Sequence, residues 1–267
     1  MELTQENYYT KEADQFYCSV SQYKRAFGTL GYKGCEARML AELRGEYTQP
    51  PSTAMLVGSY VDSYFEGTLD EFKANHPEIL KKDGELKAEY KKADLMIERC
   101  KRDKKFMQYM SGDKQTIMTA ELFGIPWKIK IDSYLPNKAI VDLKTVDDMY
   151  KSIYSKDNGK LNFINNSGYD FQLAVYQKIV EENTGKRLPC FIAAVDKKDT
   201  PAIEIISLSQ AELDGAIAGI DIGIKRIQLL KSGEVEPDKC NRCDYCKDTK
   251  VITKPISMAD LIEGVEG

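Results

Sequence analysis

Apolar residues recur at helical spacing along much of the chain, and this pattern predicts most of its helices. The predicted helices span residues 19–27, 35–44, 52–65, 87–110, 169–182 and 209–230. Ser19 and Ser209 stand where a side-chain hydroxyl would cap the first turn of a helix. Thr184-Gly185 predicts the end of the helix before it, because glycine readily adopts the left-handed conformation that closes a helix.

A different pattern in the middle of the chain predicts strands. Short segments rich in β-branched and aromatic residues are separated by the turn signals Gly124-Ile125-Pro126 and Pro136-Asn137. The predicted strands span residues 116–123, 127–134, 139–144, 190–195 and 202–207. The order of elements predicts an α/β fold in which helices flank a central mixed β-sheet. No repeat or linker divides the chain, so we expect a single domain over residues 1–267.

The composition limits the classes of protein to which this chain can belong. The chain has 267 residues, of which 42% are hydrophobic and 30% charged, and it contains no apolar run of about 20 residues that could cross a bilayer. The first nine residues are polar and lack the pattern of a secretory signal, so we expect a cytoplasmic protein without membrane contact. The net charge of −4 means that contact with a polyanion would depend on local basic patches.

Two predicted neighbouring strands carry the residues with the clearest chemistry. Side chains two apart on a strand share a face, so Asp142 and Lys144 project together. If a hairpin through residues 135–138 pairs the two strands, Asp132 comes alongside Asp142. Two converging carboxylates suit Mg²⁺ or Mn²⁺, and an adjacent lysine would orient a nucleophile and stabilise developing charge. The spacing alone also fits a surface ion pair between Asp142 and Lys144.

The wider context of these residues resembles a known family. The segment 121–145 contains Gly124-Ile125-Pro126, Ile129-Lys130-Ile131-Asp132-Ser133 and Ile140-Val141-Asp142-Leu143-Lys144-Thr145. It resembles the core of PD-(D/E)xK nucleases of the RecB and RecE exonuclease type, and Gln172 and Tyr176 resemble the Q-x-x-x-Y helix of that branch. The resemblance implies a restriction-endonuclease-like fold and contact of Gln172 and Tyr176 with DNA.

The resemblance also implies a set of catalytic and metal-binding residues. Asp132, Asp142 and the Leu143 carbonyl would bind Mg²⁺ or Mn²⁺, and Lys144 would position the attacking water. Residues 58–62 occupy the place of a G-x-x-x-H helix, with Asp62 standing where the family usually has a histidine ligand. Asp62 would be a substitute oxygen ligand, and Gly58 would let its helix approach the sheet closely. Glu121 would assist nearby, although surface solvation explains it equally well.

The predicted function is therefore a metal-dependent deoxyribonuclease, of exonuclease type, in phage or prophage recombination or DNA processing. The resemblance further suggests a single-strand annealing protein as partner and a homo-oligomer. The alternative is a module of the same fold that binds DNA or a recombination partner but cleaves DNA weakly or not at all. The missing histidine at Asp62 motivates this alternative.

Three closely spaced cysteines within residues 240–246 predict a second metal centre. Cys240, Cys243 and Cys246 stand at intervals that suit one metal ion or cluster. The resemblance implies that Cys35 is the fourth ligand and that the centre is a 4Fe–4S cluster; zinc and free thiols are the alternatives. Cys18, Cys100 and Cys190 are isolated, and we expect each to be a small buried residue.

Overall fold

The computed structural model describes residues 1–253 and 255–258; residues 254 and 259–267 of the predicted domain lie outside this part. The helices are α1 Lys11–Phe16, α2 Val20–Phe27, α3 Glu36–Arg44, α4 Thr53–Glu66, α5 Leu69–Asn75, α6 Ala88–Lys101, α7 Lys104–Tyr109, α8 Phe163–Ser167, α9 Tyr169–Thr184, α10 Gln210–Ile217, α11 Ile220–Ser232 and α12 Asp244–Asp248. The strands are β1 Asp113–Leu122, β2 Ile125–Leu135, β3 Ala139–Val146, β4 Ile153–Ser155, β5 Gly159–Leu161, β6 Cys190–Asp196 and β7 Ile203–Leu208. A 3-10 turn spans Pro77–Ile79.

Five strands form a mixed sheet in the order β1-β2-β3-β6-β7. The first three strands are an antiparallel meander, β3 and β6 run parallel, and β7 is antiparallel to β6. Phe123 and Gly124 both have positive φ at the turn between β1 and β2, as a two-residue hairpin turn of type I′ requires. Helices cover the sheet, so the predicted α/β fold with a central mixed sheet is confirmed.

The side chains of strand β3 alternate between the two faces of the sheet. Ile140 packs into a core formed with α9, α10 and α11, whereas Val141 and Leu143 pack into a second core with α4 and α6. Because side chains alternate along a strand, Asp142 and Lys144 lie on the face toward α9. The sheet therefore presents two charged side chains inside an otherwise apolar layer.

The prediction of one long helix over residues 87–110 is wrong. The structure has two helices there, α6 and α7, and Asp103 caps the second, which begins at Lys104. The Asp103 carboxylate accepts hydrogen bonds from the backbone N–H groups of Lys105 and Phe106, at 3.0 and 2.9 Å. An aspartate in this capping position starts a new helix instead of continuing the old one.

The predicted helix over residues 209–230 is also two helices. Ser209 caps α10 as predicted, and Glu212 completes a capping box. Gly219 then adopts φ 76° between α10 and α11, which breaks the helical path. The pattern also did not predict α1, α5, α8, α12 or the β4–β5 hairpin. No helix in residues 1–253 and 255–258 is long and apolar enough to cross a membrane.

Candidate active site

The centre of the candidate site is the point where β2 and β3 separate. Their ladder ends at the pair Ser133 and Val141, one step before Asp132 and Asp142 would pair. Beyond this point, Asp132 Oδ2 accepts a hydrogen bond from the Leu143 backbone N–H at 2.8 Å. The hairpin thus aligns the two aspartates across a gap between the strands.

Lys144 lies beside the second aspartate. Its Nζ is 2.5 Å from Asp142 Oδ2, and the two side chains are 17% and 2% exposed. Burial alone would lower the pKa of Lys144, but the carboxylates of Asp142 and Asp132 outweigh it and raise the pKa. Lys144 is therefore an ammonium ion held within an acidic pocket.

Helix α4 brings two more carboxylates, Asp62 and Glu66, to the same cavity. Burial and the neighbouring charges, Asp132 first, raise the pKa of Asp62 well above its usual range. Burial and the charge of Asp142 raise the pKa of Asp132 to about 7. A Cβ at Gly58 would lie 3.2 Å from Thr145 Oγ1 on β3, which shows how closely α4 approaches the sheet.

These oxygen donors fit a hard divalent cation. The buried Oδ2 of Asp142 has no well-aligned hydrogen-bond donor among the described residues, although Lys144 Nζ lies near it. Burial and nearby carboxylates, which raise the pKa values of Asp62 and Asp132, disfavour their negative charges and leave room for further compensation beyond that from Lys144. A cation such as Mg²⁺ or Mn²⁺, which prefers carboxylate and carbonyl oxygens, would supply that compensation. The cavity has a volume of about 320 Å³.

Comparison with known proteins identifies a family for this chain. A family model described as "PDDEXK-like domain of unknown function (DUF3799)" matches residues 19–249. The chain belongs to this family. The crystal structure of a "putative exonuclease" from Eubacterium rectale is 51% identical, and the match covers 99% of each chain with a TM-score of 0.96.

Other comparisons add little to the PDDEXK-like assignment. The crystal structure of SSO0001 is 14% identical over 82% of this chain and 95% of that chain, with a TM-score of 0.29 that carries no argument. No curated protein matches the chain.

Within this PDDEXK-like domain, Gln172 and Tyr176 reach the site from α9. Gln172 Nε2 donates to Asp142 Oδ1 at 2.7 Å and approaches the Tyr176 hydroxyl at 3.3 Å. The Tyr176 hydroxyl donates to the backbone carbonyl of Lys130 at 3.2 Å. In the structure, these two side chains thus orient Asp142 against β2, a positioning role that the sequence did not predict.

The remaining predicted side chain near the site, Glu121, lies elsewhere. It is an exposed residue near the end of β1, paired with Pro126, and it is absent from the described residues that line the cavity. Surface solvation, which the sequence offered as the alternative for Glu121, agrees with this exposed position.

The structure adds an aromatic and basic wall that sequence reasoning missed. Lys128 and Lys130 share the face of β2 that carries Asp132, and all three line the cavity. Lys128 is 2% exposed and pairs with Asp14 at 2.7 Å. Lys130 Nζ lies 4.7 Å from the centre of the Tyr9 ring. The alternation Lys-x-Lys-x-Asp was a visible signal for the lysines, but no local pattern indicated their N-terminal partners.

A separate group of four cysteines lies where the N-terminal and C-terminal parts of this PDDEXK-like domain meet. The sulfur atoms of Cys35, Cys240, Cys243 and Cys246 all lie within 4.8 Å of one another. Cys35 is the cap residue of α3, so the structure brings it to the C-terminal trio. The isolated residues Cys18, Cys100 and Cys190 are buried, as expected.

Charged groups hold these two parts of the chain together beside the cysteines. Arg226 Nε and Nη2 donate to the two carboxylate oxygens of Glu36 at 2.9 and 2.7 Å. The Asp238 backbone N–H also donates to Glu36, at 2.9 Å. A bidentate pair of this kind fixes orientation as well as distance. The cysteine group is therefore supported by contacts that do not depend on a metal.

Proposed function

We propose that this protein is a metal-dependent deoxyribonuclease, of exonuclease type, that hydrolyses DNA phosphodiester bonds in phage or prophage recombination or DNA processing. The observation that carries the proposal is the meeting of Asp132, Asp142 and Lys144 where β2 and β3 separate. Membership of a PDDEXK-like family supports it, as does a 51% identical protein described as a putative exonuclease.

In this proposal the metal ligands are Asp132, Asp142 and the Leu143 carbonyl, with Asp62 completing the set. When bound, Mg²⁺ or Mn²⁺ supplies Lewis-acid polarisation of the scissile phosphate and lowers the pKa of a bound water. Gln172 holds one oxygen of Asp142 through its 2.7 Å hydrogen bond, which leaves the other oxygen directed toward Lys144 and the cavity. The ligand carboxylates are therefore oriented before substrate arrives.

Lys144 provides the positive charge nearest to the reacting atoms. The carboxylates of Asp142 and Asp132 raise the pKa of Lys144 and favour the protonated amine, which can donate hydrogen bonds. Its ammonium orients the attacking water and stabilises the negative charge that grows on the phosphate oxygens. Asp142 fixes the ammonium in place at 2.5 Å.

DNA contact in this proposal comes from the cavity wall. The chain has a net charge of −4, so attraction to phosphate must be local. Arg25 and Lys130 line the cavity, and the exposed ring of Tyr9 stands beside Lys130. The predicted DNA contacts of Gln172 and Tyr176 would be made at the same wall. An annealing-protein partner, a homo-oligomer and a cytoplasmic location remain predictions from the sequence.

A metal-titrated cleavage assay on linear and circular DNA tests the proposal. We expect degradation of linear DNA with Mg²⁺ or Mn²⁺, intact circular DNA, and no cleavage after addition of a chelator. Cleavage in chelator would contradict the metal dependence. DNA binding without cleavage under any metal condition would favour the alternative, a binding module that has lost turnover.

A further inference from the structure

The distances within the four-cysteine group distinguish between kinds of metal centre. Cys35 Sγ is 3.5 Å from Cys246 Sγ, and Cys240 Sγ is 3.9 Å from Cys246 Sγ. Every other pair among the four sulfurs also lies within 4.8 Å. The group is therefore compact in three dimensions and not merely close in sequence.

A single ion and a cubane cluster require different sulfur spacings. Four thiolates at about 2.3 Å from one tetrahedral zinc ion stand about 3.8 Å apart. A 4Fe–4S cluster binds each thiolate to a different iron, which spreads the cysteine sulfurs to roughly 6 Å. The separations of 3.5 and 3.9 Å, and the limit of 4.8 Å for the other pairs, lie closer to the spacing around a single ion than to that around the cluster.

We infer that Cys35, Cys240, Cys243 and Cys246 bind one tetrahedral zinc ion. Soft thiolate ligands in tetrahedral geometry favour zinc among the common divalent ions. Four protein ligands leave no open coordination position, so the ion is structural and not catalytic. This inference concerns a site apart from the catalytic cavity and does not depend on the proposed nuclease activity.

The backbone around the cysteines suits thiolates. The Cys243 N–H points to Cys240 Sγ at 3.3 Å, and the Arg38 N–H points to Cys35 Sγ at 3.4 Å. Asn241 adopts φ 59°, which curls the chain between Cys240 and Cys243 so that both sulfurs face one point. Backbone donors of this kind offset the negative charge that four thiolates place around a divalent ion.

The zinc site also has a connection to the catalytic cavity. The Cys35 backbone N–H donates to the Arg25 carbonyl at 2.7 Å, and the Arg25 side chain lines the cavity. Helices α2 and α3 share a small core formed by Ala26, Met39, Leu43 and Leu230. The ion therefore fastens the C-terminal segment to α3 and, through α3, supports the helix that forms one cavity wall.

Metal and sulfide analysis of the full-length protein tests the inference. The protein should be expressed and purified without oxygen, from cells supplied with both iron and zinc, so that either centre can form. We expect about one zinc per chain and no acid-labile sulfide. Cobalt substitution should give the visible absorption of a tetrahedral thiolate site.

Three variants sharpen the same experiment. Cys243→Ser should lose the zinc, whereas Cys100→Ala, which alters a buried cysteine elsewhere, should keep it. Asp142→Asn should also keep it, which separates failure of this inference from failure of the proposed nuclease. Four irons with sulfide, one iron in place of zinc, or protein without either metal would each overturn the assignment.

Discussion

The proposed active-site cavity and the four-cysteine group both gather potential metal ligands, but the protein supports them differently. In the cavity, Asp62 and Asp132 have raised pKa values because burial and neighbouring carboxylates disfavour their charges. Around the cysteines, backbone N–H groups and the Glu36–Arg226 pair favour the observed arrangement. Buried like charges thus destabilise the first site, whereas backbone donors and an ion pair stabilise the second.

The largest effect is expected when a carboxylate in the cavity is neutralised, because this change tests the contrast between the two sites directly. Asp132→Asn should lower the cleavage rate about 10³-fold, because it removes a charged metal ligand while keeping the shape of the side chain. Without added divalent metal, the same change should leave the melting temperature at pH 8 unchanged or higher. Asp221→Asn, at an exposed position, is the control. A variant with near-normal activity and a lower melting temperature would reverse the roles assigned to the two sites.

The opposite result is expected for the cysteine group. Cys243→Ser should lower the free energy of unfolding by about 2–5 kcal/mol, as expected for losing a link that closes a long loop. The melting temperature should fall by roughly 5–15 °C, while cleavage by the folded protein at low temperature persists. Thermal unfolding and cleavage assays measure the two effects, with Cys100→Ala as the control. Loss of cleavage without loss of stability would show that the cysteines belong to the catalytic site.

Replacing Asp62 tests how far the metal site extends along α4. Asp62→Ala should lower activity by roughly 10–100-fold if this residue completes the ligand set. Asp62→His should retain or raise activity, because histidine is the ligand that the family resemblance implies at this place. Rates measured across a Mn²⁺ titration compare the variants. An Asp62→Ala protein with unchanged metal dependence would place the residue outside the ligand set.

The pH dependence of stability gives a more moderate test. Because the folded pKa of Asp132 is raised to about 7, the folded state holds this proton more tightly than the unfolded state does. The melting temperature without divalent metal in the cavity should therefore fall by several degrees as the pH rises from about 4, near the ordinary pKa of an aspartate, to about 7. The fall should be smaller in Asp132→Asn and smaller when Mg²⁺ is present. An equal fall in wild type and variant would remove Asp132 as its cause.

The smallest expected effect concerns the cavity wall. Tyr9→Ala should raise KM for DNA about threefold to tenfold with little change in kcat, because an exposed ring beside Lys130 can stack on a base. Tyr9→Phe keeps the ring and should behave as wild type. Steady-state kinetics on DNA with single-stranded ends compare the two variants with wild type. Equal KM values for all three proteins would exclude Tyr9 from DNA contact.

The sequence predicted the features that depend on local periodicity. Alternation along β3 placed Asp142 and Lys144 on one face, and the short loop before β3 aligned Asp132 with Asp142. The position of Cys35 came from family resemblance, and no local pattern indicated it. The structure places Cys35 within 4.8 Å of the trio.

The features that the sequence did not predict are of two kinds. Some depend on contacts between residues far apart in the chain, and others are helix boundaries within an uninterrupted helical pattern. Asp103 looks like one more charged residue on a helix surface until its carboxylate is seen to cap α7. Lys128 pairs with Asp14 across more than a hundred residues, so nothing near either one indicates the wall they form. Glu66 follows Asp62 by one helical turn, but only the approach of α4 to β3 shows that both reach the cavity.

The central claim is that the aspartates where β2 and β3 separate, with Lys144, catalyse metal-dependent DNA hydrolysis. The most direct measurement compares wild type and Asp142→Asn on end-labelled linear DNA with Mn²⁺, after both proteins are shown to have the same fold and zinc content. The account predicts degradation by wild type and a rate at least about 10²-fold lower for the variant. Equal rates for the two proteins would contradict it.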